Sequence, residues 1–380
     1  MNLSENLKTI FGDVNFSESV IDKIIYSNDA SQNSSKTSYV VWPTNIEQLH
    51  KLISLCKRTN ISLNVRGSGS SKSGGSLSNN SIIVDMSKMR NIIELKHDSV
   101  LVEAGLPLSV LNQLTNNKFP FIPYNHLSST IGGMLATNAL SLKAMEHNRI
   151  MDWVKEVEIL TGNGMLVKLK DEAVSHVIGM EGLTGIIIKV RLKLSELVES
   201  SIDMMQFNTI TALVNELQML KQNPEVINIE YLSNQCSSLM GLEDKHILMV
   251  EYNNDSGELK DIKKLWGQRL KLPKLLKQQN YKLVEDVTIK DYAKFLYWLW
   301  KNNVPCYGPI GVNTFFPTFK ENLMLEQMKS FIKNLNGNLG SVFGYGYAKK
   351  EYISKEKRLR IMSLKAYYDP KNIMGRGKLI

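Results

Sequence analysis

Three glycine-rich segments, each joined to a strand-like run, constrain this chain more than any other feature. The first is "LNVRGSGSSKSGGSL" at 63–77, where Gly67, Gly69, Gly74 and Gly75 are interleaved with serines around Lys72. The second is "SSTIGGMLATNAL" at 128–140, and the third is "GMEGLTGIIIKVRLKL" at 179–194. Glycine reaches positive φ and lets a second backbone approach closely. Successive main-chain amides can then converge on one concavity that holds an anion. Serine hydroxyls add donors, and Arg66 or Lys72 adds charge. A mobile hairpin tip would explain one such segment. Three of them beside predicted strands point to one extended ligand with several points of contact.

Two familiar phosphate loops fail at a required residue. The dinucleotide fingerprint G-x-G-x-x-G is met by Gly67 and Gly69, but Lys72 holds its third glycine position. The P-loop spacing runs from Gly69 to Gly74, but Gly75 stands where its lysine belongs.

The intervening pattern mixes strands and helices. "TSYVVWP" (37–43) reads as a strand closed by proline, and "ISLNV" (61–65) as an alternating strand. Between them, Ile46, Leu49, Leu52, Ile53 and Cys56 recur at helical spacing, with Thr44 and Glu47 set as a capping box. Segments 81–86, 91–96 and 100–105 read as strands, 107–117 as a short helix, and 154–169 as a hairpin turning at Gly162, Asn163 and Gly164. Composition shifts after about residue 198. Strand 202–207, helix 209–222, strands 226–232 and 247–253 and helix 257–270 then predict an antiparallel α+β layer, a second domain.

Bulk properties narrow the class. The net charge of +9 comes from basic residues scattered among acids, without an arginine-rich arm or an RNP-type aromatic motif. A solvated basic surface is expected, and no nucleic-acid partner. Cys56, Cys236 and Cys306 lie far apart with no C-x-x-C, and the N-terminus lacks a signal-peptide pattern, so a cytoplasmic protein with reduced thiols is expected. No apolar run approaches the ~20 residues of a membrane helix. "YAKFLYWLW" (292–300) is read as a core or interface helix, with peripheral contact at the inner face of a membrane as the alternative.

Five stretches, in order, resemble the FAD-linked oxidases of the vanillyl-alcohol-oxidase type, whose flavin domain has the PCMH-type fold. "VRGSGSSKSGGSL" is similar to the family's R-G-x-G-[HST] loop, and "IIVDMSKMRNIIEL…VLVEAGLPLSVLNQL" to the segment that follows it. "SSTIGGMLATNA" resembles T-I-G-G-N-x-A-T-N-A, "GMEGLTGIII" resembles G-x-E-G-T-L-G-I-I, and "YYDPKNIMGRGK" resembles F-D-P-x-x-I-L-N-P-G-K. The resemblance implies an α+β fold: a two-part PCMH-type FAD-binding domain with a ferredoxin-like antiparallel α+β cap. It implies a helical lead at 1–31, the FAD domain at 32–197, the cap at 198–365, and a tail, 366–380, returning to the flavin. The implied FAD contacts are Arg66, Gly67, Ser68, Gly69, Ser70, Gly74 and Gly75; Ser129, Thr130, Gly132, Gly133, Thr137 and Asn138; and Glu181, Gly185 and Ile186. Some members bind flavin covalently through a histidine where this chain has Ser70, so non-covalent FAD is expected.

The chemistry implied is hydride transfer from the CH–OH carbon of a small molecule to FAD. "LWGQRLKL" and "VEDVTI" (284–289) resemble cap landmarks of the glycolate oxidase and D-lactate dehydrogenase FAD subunits, which points to a 2-hydroxy acid. Those relatives carry paired metal histidines and a G-E-H-G element. Here Val342 and Phe343 stand at its glutamate and histidine, no histidine follows residue 246, and Gly375 and Arg376 replace the terminal Asn-Pro. No metal is therefore expected. Lys349, Tyr345 and Arg269 are the substitute catalytic candidates, Lys349 as a base if buried and Arg269 as a carboxylate clamp. His126 and His147 flank the second glycine segment, where a structural role is expected. An electron acceptor outside the chain, an iron–sulfur protein or a quinone, completes this reading. The competing one is a flavin-binding electron-transfer or structural subunit without a substrate site.

Overall fold

The strands Lys36–Val41 and Leu63–Arg66 bracket the helix Ile46–Thr59, as the apolar spacing predicts. The helix buries Leu49, Leu52, Ile53, Leu55 and Cys56. Its cap sits one residue later than the sequence pattern predicts. Asn45 Oδ1 accepts from Gln48 N at 3.0 Å, while Thr44 donates to the Gln48 side chain. The Asn45 side chain thus caps the Gln48 amide, one residue beyond the Glu47 amide that a Thr44 cap would engage.

The computed structural model describes residues 2–31, 33–77, 79–124, 128–196, 200–253, 262–340 and 342–379. The chain divides into two units. The first comprises Met1–Leu140, Arg149–Glu196 and Val342–Ile380; the second comprises Ser141–Asn148 and Leu197–Ser341. The excursion at 141–148 has no compositional signature. Residues 342–365, read from sequence with the cap, group with the first unit. The Glu181 carboxylate holds that segment there by accepting from Tyr345 N at 2.7 Å and Gly346 N at 2.9 Å.

In the first unit, one sheet runs Phe16–Ser17, Lys36–Val41, Asn79–Asp85, Leu63–Arg66, with its last three strands parallel. The C-terminal tail extends it: Leu63 N donates to Ile373 O and Gly375 N to Leu63 O, both at 2.8 Å. A second, antiparallel sheet runs Ile92–Leu95, Ser99–Glu103, Ile186–Lys193, Val154–Leu160, Leu166–Lys170. Its strands alternate. Val100, Val102, Val157, Val190 and Leu192 face a core completed by Leu111, Phe119, Phe121 and Leu135. Glu94, Glu156, Arg191 and Lys189 carry ion pairs on the partly exposed side.

The second unit is built on an antiparallel sheet ordered Ser201–Phe207, His246–Tyr252, Val226–Leu232, Cys306–Gly308, Thr314–Phe319, Val287–Thr288, Asn338–Leu339. Helices Ile210–Leu220, Asn234–Leu239, Ile262–Gln278, Tyr292–Lys301 and Asn322–Asn334 complete it. The sequence pattern missed Asn234–Leu239, although Ser233 caps it by accepting from Cys236 N at 3.4 Å. The ring-rich helix Tyr292–Lys301 buries Phe295, Leu296 and Leu299 and exposes Tyr297 and Trp300. Among the described residues, no helix is long and apolar enough to cross a membrane.

Candidate functional site: a glycine-lined cleft in the first unit

The three glycine segments converge on one cleft of about 1150 Å³, measured out to its open mouth, and every residue lining it belongs to the first unit. The first segment leaves the strand Leu63–Arg66 and contributes Gly67, Ser68, Gly69, Ser70, Lys72 and Gly75. The second contributes Ser129, Thr130, Gly132, Gly133 and Thr137, and the third Glu181, Gly182 and Gly185.

Close approach requires glycine at Gly67 and at Gly132. A Cβ on Gly67 would lie 2.3 Å from Thr130 Oγ1, so the first two segments touch only because this side chain is missing. Gly132 donates its N–H to Ala104 O at 2.7 Å, and a Cβ there would lie 2.9 Å from the Ala104 Cβ. Thr130 caps the helix Ile131–Thr137, its hydroxyl accepting from Gly133 N at 3.3 Å. The lining is thus backbone and hydroxyl at the level of the loops, with the Lys72 and Lys378 cations beside them.

Four of the expected contacts stand behind the lining. Arg66 donates through Nη1 to Asn28 O at 2.8 Å, and its guanidinium packs over the Tyr26 ring at 5.1 Å. It braces the loop, since a Cβ on Gly69 would lie 2.2 Å from Arg66 Nη2. Gly74 forms the turn at φ +79°. Asn138 adopts left-handed φ at the helix end, and its carbonyl accepts from Arg149. Ile186 faces the core, and Ile187 faces the cleft; strand alternation reverses that choice by one residue.

The catalytic candidates do not assemble in the cleft. Tyr345 is buried in a small apolar cluster beneath Lys357, whose Nζ lies 4.5 Å from its ring. Lys349 is 7% exposed and does not line the cleft, and its N–H donates to Tyr345 O at 2.8 Å. Arg269 lies in the second unit at 1% exposure. Its Nε donates to Glu230 Oε1 at 2.6 Å, and its guanidinium stacks on Tyr307 at 4.2 Å. A guanidinium so neutralised has little charge left for a substrate carboxylate. His147 is also in the second unit, where burial pulls its pKa down to about 4 and keeps it neutral. His126 lies outside the described residues. No group of three or more metal-ligating side chains occurs among the described residues.

Sequence reasoning missed Lys378, Tyr124 and, as a lining residue, Phe343. The Lys72 ammonium sits 4.3 Å from the Phe343 ring centre, and both line the cleft. The loop and this segment are further joined by Ala348 N donating to Ser73 O at 3.1 Å. Lys378 is 2% exposed, and burial, its main perturbation, pulls its pKa down to about 8.

Hydroxyls, glycine-lined backbone and two cations around one cleft suit a dinucleotide's linked phosphates and flat ring. Comparisons with known proteins agree. A family model described as FAD binding domain matches residues 37–170. Glycolate oxidase subunit GlcD of Bacillus subtilis (strain 168) is 21% identical, over 100% of this chain and 96% of that protein. A D-2-hydroxyglutarate dehydrogenase of Xanthomonas citri pv. viticola is 22% identical over 41% of this chain, a stretch spanning 36% of that protein's length. Among solved structures, p-cresol methylhydroxylase with substrate bound superposes with a TM-score of 0.80 at 13% identity, covering 99% of this chain and 96% of that one. The fold is the PCMH-type one, the cofactor is FAD, and residues 37–170 form an FAD binding domain in a chain that is similar over its whole length to an FAD-linked oxidase subunit.

Proposed function

We propose that this protein oxidises the CH–OH carbon of a small 2-hydroxy acid, of the glycolate or D-lactate kind, with FAD held non-covalently in the cleft. The observation that carries the reading is the end-to-end likeness to a glycolate oxidase subunit, which extends through both units. Ser70, at the position of the family's covalent histidine, lines the cleft, and a hydroxyl cannot make that link. When bound, FAD supplies the hydride acceptor. The chain must supply the rest: a cradle for the cofactor and a group to take the hydroxyl proton.

The proton acceptor is sought among side chains that reach the cleft. Glu181 is committed to two backbone amides, which leaves Tyr124, Lys72 and Lys378 as lining groups with acid–base chemistry. Lys349 and Tyr345 stay second to them, because neither lines the cleft. The electron acceptor is placed outside the chain, in an iron–sulfur protein or a quinone, since the cysteines here are dispersed and buried.

Phe343 favours the competing reading. It fills a lining position where the hydroxy-acid enzymes' histidine is expected, as it would in a flavin subunit without a substrate site. Anaerobic addition of glycolate, D-lactate and D-2-hydroxyglutarate to the flavin-loaded protein separates the two. The enzyme reading predicts bleaching of the flavin band by at least one of them. A broad hydroxy-acid panel that leaves a fully loaded protein oxidised favours the subunit.

A further inference from the structure

We infer that Lys378 is a cofactor-binding residue whose ammonium donates a hydrogen bond to an acceptor oxygen of bound FAD. Lys378 and Lys365 are both buried lysines of the first unit, and their difference carries the argument. Lys365 Nζ has three acceptors: Asp369 Oδ2 at 2.8 Å, Met374 O at 2.6 Å and Leu183 O at 3.5 Å. Its three N–H groups are accounted for, and one partner is a carboxylate. Lys378 Nζ has two acceptors, both neutral: Asn64 Oδ1 at 3.0 Å and Gly75 O at 2.9 Å. It makes no ion pair among the described residues, and the nearby Glu181 carboxylate is already engaged by Tyr345 N and Gly346 N. One N–H of a buried cation is left over, on a residue that lines the cleft. An unmet buried donor is costly, more so when charged, so such a group is retained where a ligand completes it.

The chain fixes this ammonium firmly. Asn64 is itself held by donating to Leu77 O. The tail reaches the site by pairing with Leu63 and then turns at Gly375, φ +52°, where Lys378 N donates to Gly375 O at 3.1 Å. A Cβ on Gly375 would lie 3.0 Å from Leu183 and 3.3 Å from Lys378 Cε. Leu379, fully buried, anchors the far side. The cation is thus presented by a rigid mount on the same loop, through Gly75, that forms the cradle.

Both the diphosphate and the isoalloxazine of FAD carry acceptor oxygens, and the experiment distinguishes them. Apoprotein is prepared as wild type and as Lys378→Met, and each is titrated with FAD, with ADP and with riboflavin. The melting temperature of each apoprotein is also recorded. The expected result is at least a tenfold weaker FAD affinity in Lys378→Met with an apoprotein that melts no lower than wild type. Weakening shared with ADP places the bond on the diphosphate; weakening shared with riboflavin places it on the ring, where sulfite affinity of the loaded protein falls as well. Unchanged affinity for all three overturns the inference, as does an apoprotein that melts lower by as much as the loaded form, which marks a merely structural lysine. Should Lys378→Met not fold, Lys378→Gln gives the same readings. The inference depends on FAD in the cleft and not on the substrate class. A wild-type protein that binds no FAD refutes the cleft assignment, whereas wild-type binding with an unaltered variant refutes Lys378 alone.

Discussion

The cleft of the first unit and the polar interior of the second bury charge in opposite ways. In the second unit each of these buried charges is matched from within. Arg269 meets Glu230 and Tyr307, and Glu251 accepts from Trp266 Nε1 at 3.0 Å with Lys143 Nζ 3.5 Å away. In the cleft, glycines clear space and Lys378 keeps a donor in hand. Burial and charge alone therefore do not mark a binding site. What marks it is spare polar capacity set among close-packed glycines, since the second unit also keeps a buried oxygen, Glu251 Oε2, without a hydrogen-bond partner.

The largest effect is expected where the cleft is most crowded. Gly67→Val would drive a branched side chain into Thr130 and across the cradle. FAD affinity should fall about 100-fold or more, equivalent to about 3 kcal/mol. Titration of the apoprotein measures it; wild-type affinity would show that the cofactor does not approach this loop.

Arg269→Met tests the other side of the contrast. It leaves Glu230, at 0% exposure, without its cation, a change that typically costs about 3–5 kcal/mol. Chemical denaturation should show that loss, with FAD affinity unchanged. The double change Arg269→Met with Glu230→Leu should recover much of it. A stable Arg269→Met with impaired turnover would instead restore the carboxylate-clamp expectation.

A smaller, graded effect is expected with pH. Burial first, then Lys365, lowers the Lys378 pKa to about 8, against the pull of Glu181 and Asp29. The free ammonium of an unfolded lysine titrates near about 10.4. Between these values the unfolded chain binds more protons, so this lysine makes the apoprotein more stable as pH rises from about 8 towards about 10. FAD affinity should move the other way, declining above about pH 8 as the cation is lost. Lys378→Met should flatten both profiles; a wild-type FAD affinity that stays constant across this range would contradict the assignment.

The smallest effect separates glycines by role. Gly267 sits inside the helix Ile262–Gln278, where an added Cβ would meet nothing within 4 Å. Gly267→Ala should stabilise by about 0.5–1 kcal/mol through helix propensity and leave the flavin spectrum untouched. Destabilisation would mean that this glycine, too, is held for contact.

Legibility in the sequence followed the range of the interactions. The glycine segments could be read because each encodes a local backbone demand, and they do meet in one place. The helix Ile46–Thr59 and the hairpin from Val154 to Lys170 were equally plain from periodicity and turn residues. The pairing of Arg269 could not be read from sequence because its partner, Glu230, lies on a strand 39 residues away. Lys378 closes the "YYDPKNIMGRGK" stretch of the expected flavin-facing tail, but nothing local in that stretch assigned it a contact. Its burial depends on the tail pairing with Leu63, a contact between opposite ends of the sequence. Ile186 and Ile187 could be told apart only once the strand's register was known.

The most direct test of the glycine-lined cleft as a non-covalent FAD site is the visible spectrum of the purified protein, before and after acid precipitation. The account predicts a yellow protein, or a colourless one that turns yellow with added FAD, whose colour passes wholly into the supernatant. Protein that stays colourless in excess FAD, or a precipitate that keeps its yellow colour, would contradict it.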